Sequence, residues 1–157
     1  MMTVIAMFAS MRHAACVVLS TLMILPVAAQ GETQAAPPAS EPTFQEFGGK
    51  AGIGKVVDTL LVLVVADVRI AKHFKDADMR RLARMLTDQF CVLTGGPCTY
   101  EGADMKEAHD GMRLRNADFN ALAENLQEAM IRNHVPPAAQ YRLLGKLAPM
   151  QRDVVEK

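Results

Sequence analysis

The sequence contains no tryptophan, and aromatic residues make up only 5% of it. Sheet folds draw heavily on aromatic and β-branched alternation, so this scarcity weighs toward helices, as do 11 methionines. Charge surplus is missing too: Lys+Arg and Asp+Glu stand at 17 each. Nucleic-acid backbones are held by clustered basic surplus, so no nucleic-acid partner is expected. Three cysteines are too few for a disulfide scaffold. The chain does have apolar residues, at 50%, which excludes a disordered polymer, and its 157 residues suit one domain.

Residues 1–29 carry Arg12 but no lysine and no acid. The apolar run from Cys16 ends in Val27-Ala28-Ala29, small residues of the kind that precede signal-peptidase cleavage. The run is short and broken by Pro26, whereas crossing about 30 Å of hydrocarbon takes about 20 residues. Residues 1–29 therefore read as a secretory signal, with no membrane attachment after cleavage and a bacterial periplasm as the expected destination. Residues 30–41 are small, polar and proline-containing, which reads as a flexible linker. Residues 42–157 are expected to form the folded domain.

Within that domain Val56, Val57, Leu60, Leu61, Val64 and Val65 recur at helical spacing after Gly48-Gly49. Their β-branched content makes a strand a rival, but seventeen residues (Lys50 to Ala66) without a turn signal favour a helix. A second helix follows Asp76-Ala77-Asp78, with Met79, Leu82, Leu86, Phe90 and Leu93 on one stripe. Gly95-Gly96-Pro97 stops it. A third is expected from Asn116, read as its N-cap, with Phe119, Leu122, Leu126 and Met130. A fourth is expected from about Ala138, disturbed at Pro149. The fold class is thus all-α.

Cys98 to Arg115 forms a connection too long for an ordinary helical bundle, so function is sought there. It holds His109, which closes the short turn from Met105 and precedes Gly111. An imidazole in that setting suits a haem iron, although a lone histidine is more often an ordinary surface or core residue. No second His, Cys or acid stands at zinc-ligand spacing with it, and no catalytic triad is assignable.

Several pieces then combine: Phe47-Gly48-Gly49, Phe74 after Val68-Arg69-Ile70, Thr94-Gly95-Gly96-Pro97, and Tyr100 with Gly102. Met105-Lys106 with His109 and Gly111, and Phe119, complete the set. With these, Phe47 to Val155 resembles a group I truncated haemoglobin, a 2-over-2 helical sandwich. The resemblance implies haem b as cofactor, His109 as the proximal iron ligand and Phe74 packed on the porphyrin. Leu82, Leu86, Phe90, Met105 and Phe119 would line the haem cavity, with Lys106 as a propionate partner.

This chain departs from the family at three places. Leu60-Leu61 stands where a tyrosine is frequent, Leu82 and Leu86 where a glutamine or other polar group is frequent, and Arg113 where a second glycine usually follows the histidine. The distal pocket of Leu61, Leu82 and Leu86 would then lack a hydrogen-bond donor. Cys91 and Cys98 flank the Gly-Gly-Pro turn, and in an oxidising compartment a bridge between them is expected, worth about 2.5 kcal/mol for so short a loop. The function implied is reversible binding of the diatomic gases O2, CO and NO. The alternative is NO dioxygenation or another haem redox reaction, which needs an electron-donor reductase as partner.

Overall fold

Two consecutive glycines make the first corner. In the structure, a computed structural model that describes residues 41–156, Gly48 and Gly49 both take positive φ, 79° and 67°. Only glycine enters that region readily, and the pair turns the chain sharply from α1 (Pro42–Glu46) into α2 (Gly49–Ala66). The expectations for residues 1–29 and for most of the linker lie outside the described residues.

Ile53, Val56, Val57, Leu60, Leu61 and Val64 form one buried face of α2. Their spacing follows the 3.6-residue period, and the helix outcompetes the strand because a strand would send half of them to the opposite face. This face packs against α3 (Met79–Leu93) and α5 (Asn116–Arg132). The far end of α2 is tied to α5 by polar contacts. Arg69 bridges Asp67 and Glu124, at 2.7 and 2.6 Å, and Asn125 donates to Asp67 at 2.7 Å. These contacts, with the Arg69 guanidinium first among them, hold the Asp67 carboxyl well below the usual carboxylate range.

α3 opens with Asp78 as its cap, whose carboxylate accepts from the Arg81 N–H at 3.0 Å. It ends at buried Thr94, where Gly95 turns out at φ 81°. Beyond that turn Gly96 sits against the core. A Cβ there would lie 2.5 Å from the Phe44 ring and 2.6 Å from Cys91 Sγ. Cys91 and Cys98 are bonded to each other, their Cα atoms 5.9 Å apart, so the start of the long connection is stapled to the end of α3.

The N-cap of α5 is Arg115 rather than Asn116, which is already the first helical residue. Asp118 decides this, because its carboxylate accepts the Arg115 N–H at 2.9 Å. The helix ends in a left-handed His134, φ 56°, and Val135 N–H reaches back to Met130 O at 3.0 Å. Pro136-Pro137 then starts α6 (Pro137–Leu147). Pro149, lacking an N–H, falls in a 3-10 turn over Ala148–Met150, and the chain resumes as α7 (Gln151–Val154). No strand occurs among the described residues, and none of their helices is long and apolar enough to cross a membrane. The helices α2 and α3, with α5 and α6 beside them, enclose a core that includes Phe47, Ile53, Phe90, Met130 and Leu143.

Candidate functional site

The connection between α3 and α5 is organised around a five-residue helix, α4 (Met105–His109). Asp104 caps it by accepting from Glu107 N–H at 2.7 Å. His109 is its last residue and is half-buried. Its Nδ1 lies 2.7 Å from the Met105 carbonyl oxygen. A carbonyl only accepts, so Nδ1 carries the proton of the neutral ring, and the lone pair resides on Nε2. Ligating histidines are oriented in this way, by a bond from the ring nitrogen that does not bind.

The other candidate surface is the stripe of α3. Leu82 and Leu86 pack against the core but remain only half-buried, as do Phe74, Met79 and Leu122. Apolar side chains that touch a core and yet keep part of their surface uncovered form a wall on which a large apolar group can lie. Leu61 is buried deeper, at 9% exposure, and Phe90, at 3%, is a member of the core itself. Two polar side chains of α3 near this stripe are engaged elsewhere. Thr87 Oγ1 donates to Ala83 O at 2.7 Å, and Asp88 pairs with Lys50 at 2.7 Å.

Met105 faces α3, where Gln89 Nε2 donates to its sulfur at 3.5 Å, and both line a cavity of about 230 Å³ with Tyr100 and Met150. Burial there raises the Tyr100 phenol above its ordinary pKa. Lys106 and His109 line a different cavity, of about 280 Å³, together with Asp110 and residues 152–156. Phe74, Leu82, Leu86 and Phe119 line neither of the two. At another junction His73 Nε2, buried and without a hydrogen-bond partner, lies 3.7 Å from Asp118 Oδ1. Asp118 is buried, and the Arg115 N–H and guanidinium keep its carboxyl below the usual range.

Sequence reasoning overlooked Gln89, His73 and Asp118. Gln89 was findable, since it lies three residues after Leu86 and seven after Leu82, on the stripe itself. The approach of His73 to Asp118 has no sequence signal, because it joins elements 45 positions apart.

The family model for bacterial-like globins matches residues 42–156. The chain belongs to that family, among the group 1 truncated haemoglobins. It is 40% identical over 87 residues to a group 1 truncated haemoglobin of Tetrahymena thermophila, covering 55% of this chain and 72% of the relative. It is 31% identical over 119 residues to one from Mycolicibacterium paratuberculosis, covering 76% and 86%. The truncated haemoglobin of Tetrahymena pyriformis, solved in its Fe(III) form, superposes with a TM-score of 0.70 at 31% identity, covering 73% of this chain and 98% of that one. The fold class is therefore the 2-over-2 globin sandwich, and membership of the truncated globins implies haem binding and gas-ligand binding. The residues present fit that group: a half-buried histidine with its Nε2 lone pair free of the Met105 bond, and a partly uncovered apolar wall.

Proposed function

We propose that this truncated globin holds haem b through His109 Nε2 and binds small diatomic gases in a pocket walled by Leu61, Leu82 and Leu86. The observation that carries the reading is the His109–Met105 hydrogen bond, which presets the tautomer and ring orientation that iron ligation requires. Haem, when bound, would supply the iron at which the gas coordinates. The chain supplies the rest. Phe74, Leu82, Leu86, Met105 and Phe119 would exclude water from the haem, and Lys106, which lines the same cavity as His109, would meet a propionate.

The distal leucines offer no hydrogen-bond donor, so the site discriminates by size and apolarity rather than by polarity. O2, which gains more than CO from a hydrogen-bond donor, would be held less well relative to CO. Export to a periplasm belongs to the same proposal, supported by the bonded pair Cys91 and Cys98 and the apolar segment before Ala29.

Absorption spectra of the purified protein in ferric, ferrous and CO-bound states test the assignment, compared with His109→Ala. The expected result is a Soret band in the unmodified protein. In the variant, haem is expected to be lost, or retained only with added imidazole. Unchanged haem affinity and an unchanged ferrous-CO spectrum in His109→Ala would refute it.

A further inference from the structure

Four residues after His109 the backbone enters a conformation that its side chain disfavours. Arg113 has φ 52°, in the left-handed region, where a residue with a Cβ is strained. It is preceded by Gly111 at φ 73°, so the segment that leaves α4 turns twice through this region within three residues. Such a backbone persists only when its surroundings hold it.

Residues near the end of the described chain do the holding. Glu156 N–H donates to Leu114 O at 3.0 Å, and Glu156 Oε1 accepts the Arg113 N–H at 2.8 Å. One residue therefore pins a peptide group on either side of the turn, Met112–Arg113 before it and Leu114–Arg115 after it. A third link lies one turn further on, where Gln151 Nε2 donates to Asn116 Oδ1 at 3.3 Å. Beneath these bonds Leu114 and Val154 are both buried, at 8% and 9% exposure. The stretch from Gln151 to Glu156 thus lies along the outgoing limb of the His109 loop. Its residues also wall the cavity that His109 lines.

From this geometry we infer that Glu156 is a positioning residue for His109. Its carboxylate and N–H clamp the Arg113 N–H and the Leu114 carbonyl, the two ends of the strained segment, and so set the tilt and depth of the imidazole at the end of α4. The inference rests on the reading of His109 as the iron ligand. The carboxylate's part is electrostatic as well as geometric, because it receives an N–H from a peptide that a relaxed loop would turn to water.

The test uses the full chain in four forms: Glu156→Ala, Glu156→Gln, Arg113→Gly and the Arg113→Gly/Glu156→Ala pair. Two readouts are taken. The first is amide hydrogen exchange of the haem-free protein over residues 111–116, and the second is the ferrous iron–histidine stretching band with the rate of haem transfer to excess apomyoglobin.

Glu156→Ala is expected to speed exchange in that segment at least about threefold, the lower range for a lost hydrogen bond at an exposed site, with α2 unchanged. It is expected to shift or broaden the iron–histidine band and to hasten haem transfer. Glu156→Gln keeps an acceptor at the same place and is expected to restore most of both. Arg113→Gly removes the strain, so the further effect of Glu156→Ala shrinks in the double variant.

Normal exchange in Glu156→Ala would overturn the clamp, as would a rise spread evenly over all helices. Altered exchange with an unchanged band and haem-transfer rate would overturn the positioning role. A protein without any His109-dependent band would instead refute the ligation reading, while exchange still reports on the clamp.

Discussion

Replacing Leu86 by glutamine puts a donor into a pocket that has none at its three leucines, and so measures what the apolar wall does. Leu61 is the less suitable place for this change. It is 9% exposed within the core cluster, and a tyrosine there forces neighbours apart at about 1–3 kcal/mol. Leu86 is half-buried on the uncovered side of α3, so an amide of similar length fits with little displacement. Two polar side chains that follow it are already committed, Thr87 to the Ala83 carbonyl and Asp88 to Lys50. The Gln89 amide on the same stripe is bonded to the Met105 sulfur at 3.5 Å, so the new amide adds a donor at a position where the unmodified wall has a leucine.

A hydrogen bond to a charged or strongly polarised partner is worth about 1.5–3 kcal/mol, which corresponds to about 10- to 150-fold in an equilibrium constant. CO stays nearly apolar when bound and gains little. Stopped-flow release of O2 from Leu86→Gln is accordingly expected to be at least about tenfold slower than from the unmodified protein. CO release should change by less than about threefold. Equal O2 release in the two proteins, or CO slowed as much as O2, would refute the argument. The first result would mean that a donor is already present, and the second that the substitution acts by closing the pocket.

Three further outcomes test the fold. The Asp67 carboxyl is held below its ordinary range, so the stability it confers is present above about pH 4 and fades as the pH falls further. Asp67→Asn should thus be less stable than the unmodified protein at pH 7 and approach it below pH 3 in urea titrations. Gly96→Ala pushes a methyl against the Phe44 ring and Cys91 Sγ and should lower stability by about 1–3 kcal/mol, read from the midpoint at constant m-value. Reduction of Cys91–Cys98 should lower it by about 2.5 kcal/mol, and thiol titration of the unreduced, unfolded protein should find neither of these two sulfurs free.

Periodicity and turn chemistry determined much of this protein at the level of sequence. The buried face of α2 follows directly from Ile53 to Val64, because a 3.6-residue repeat can be buried only by a helix. The stop at Gly95, and the residues of α4 with His109 at its end, were also legible, since each depends on neighbours in the chain. The cap of α5 was misplaced by one residue. Asn116 is the better capping side chain, but Asp118 reaches back to the Arg115 N–H and so moves the boundary.

Tertiary structure alone decided what depends on contacts between distant segments. The Met105 sulfur meets Gln89 across 16 positions, and His73 approaches Asp118. Arg113 is held in its left-handed turn by Glu156, 43 positions away. Local sequence specifies which peptide conformations are cheap. Only the packed chain specifies which expensive ones are held, and by what.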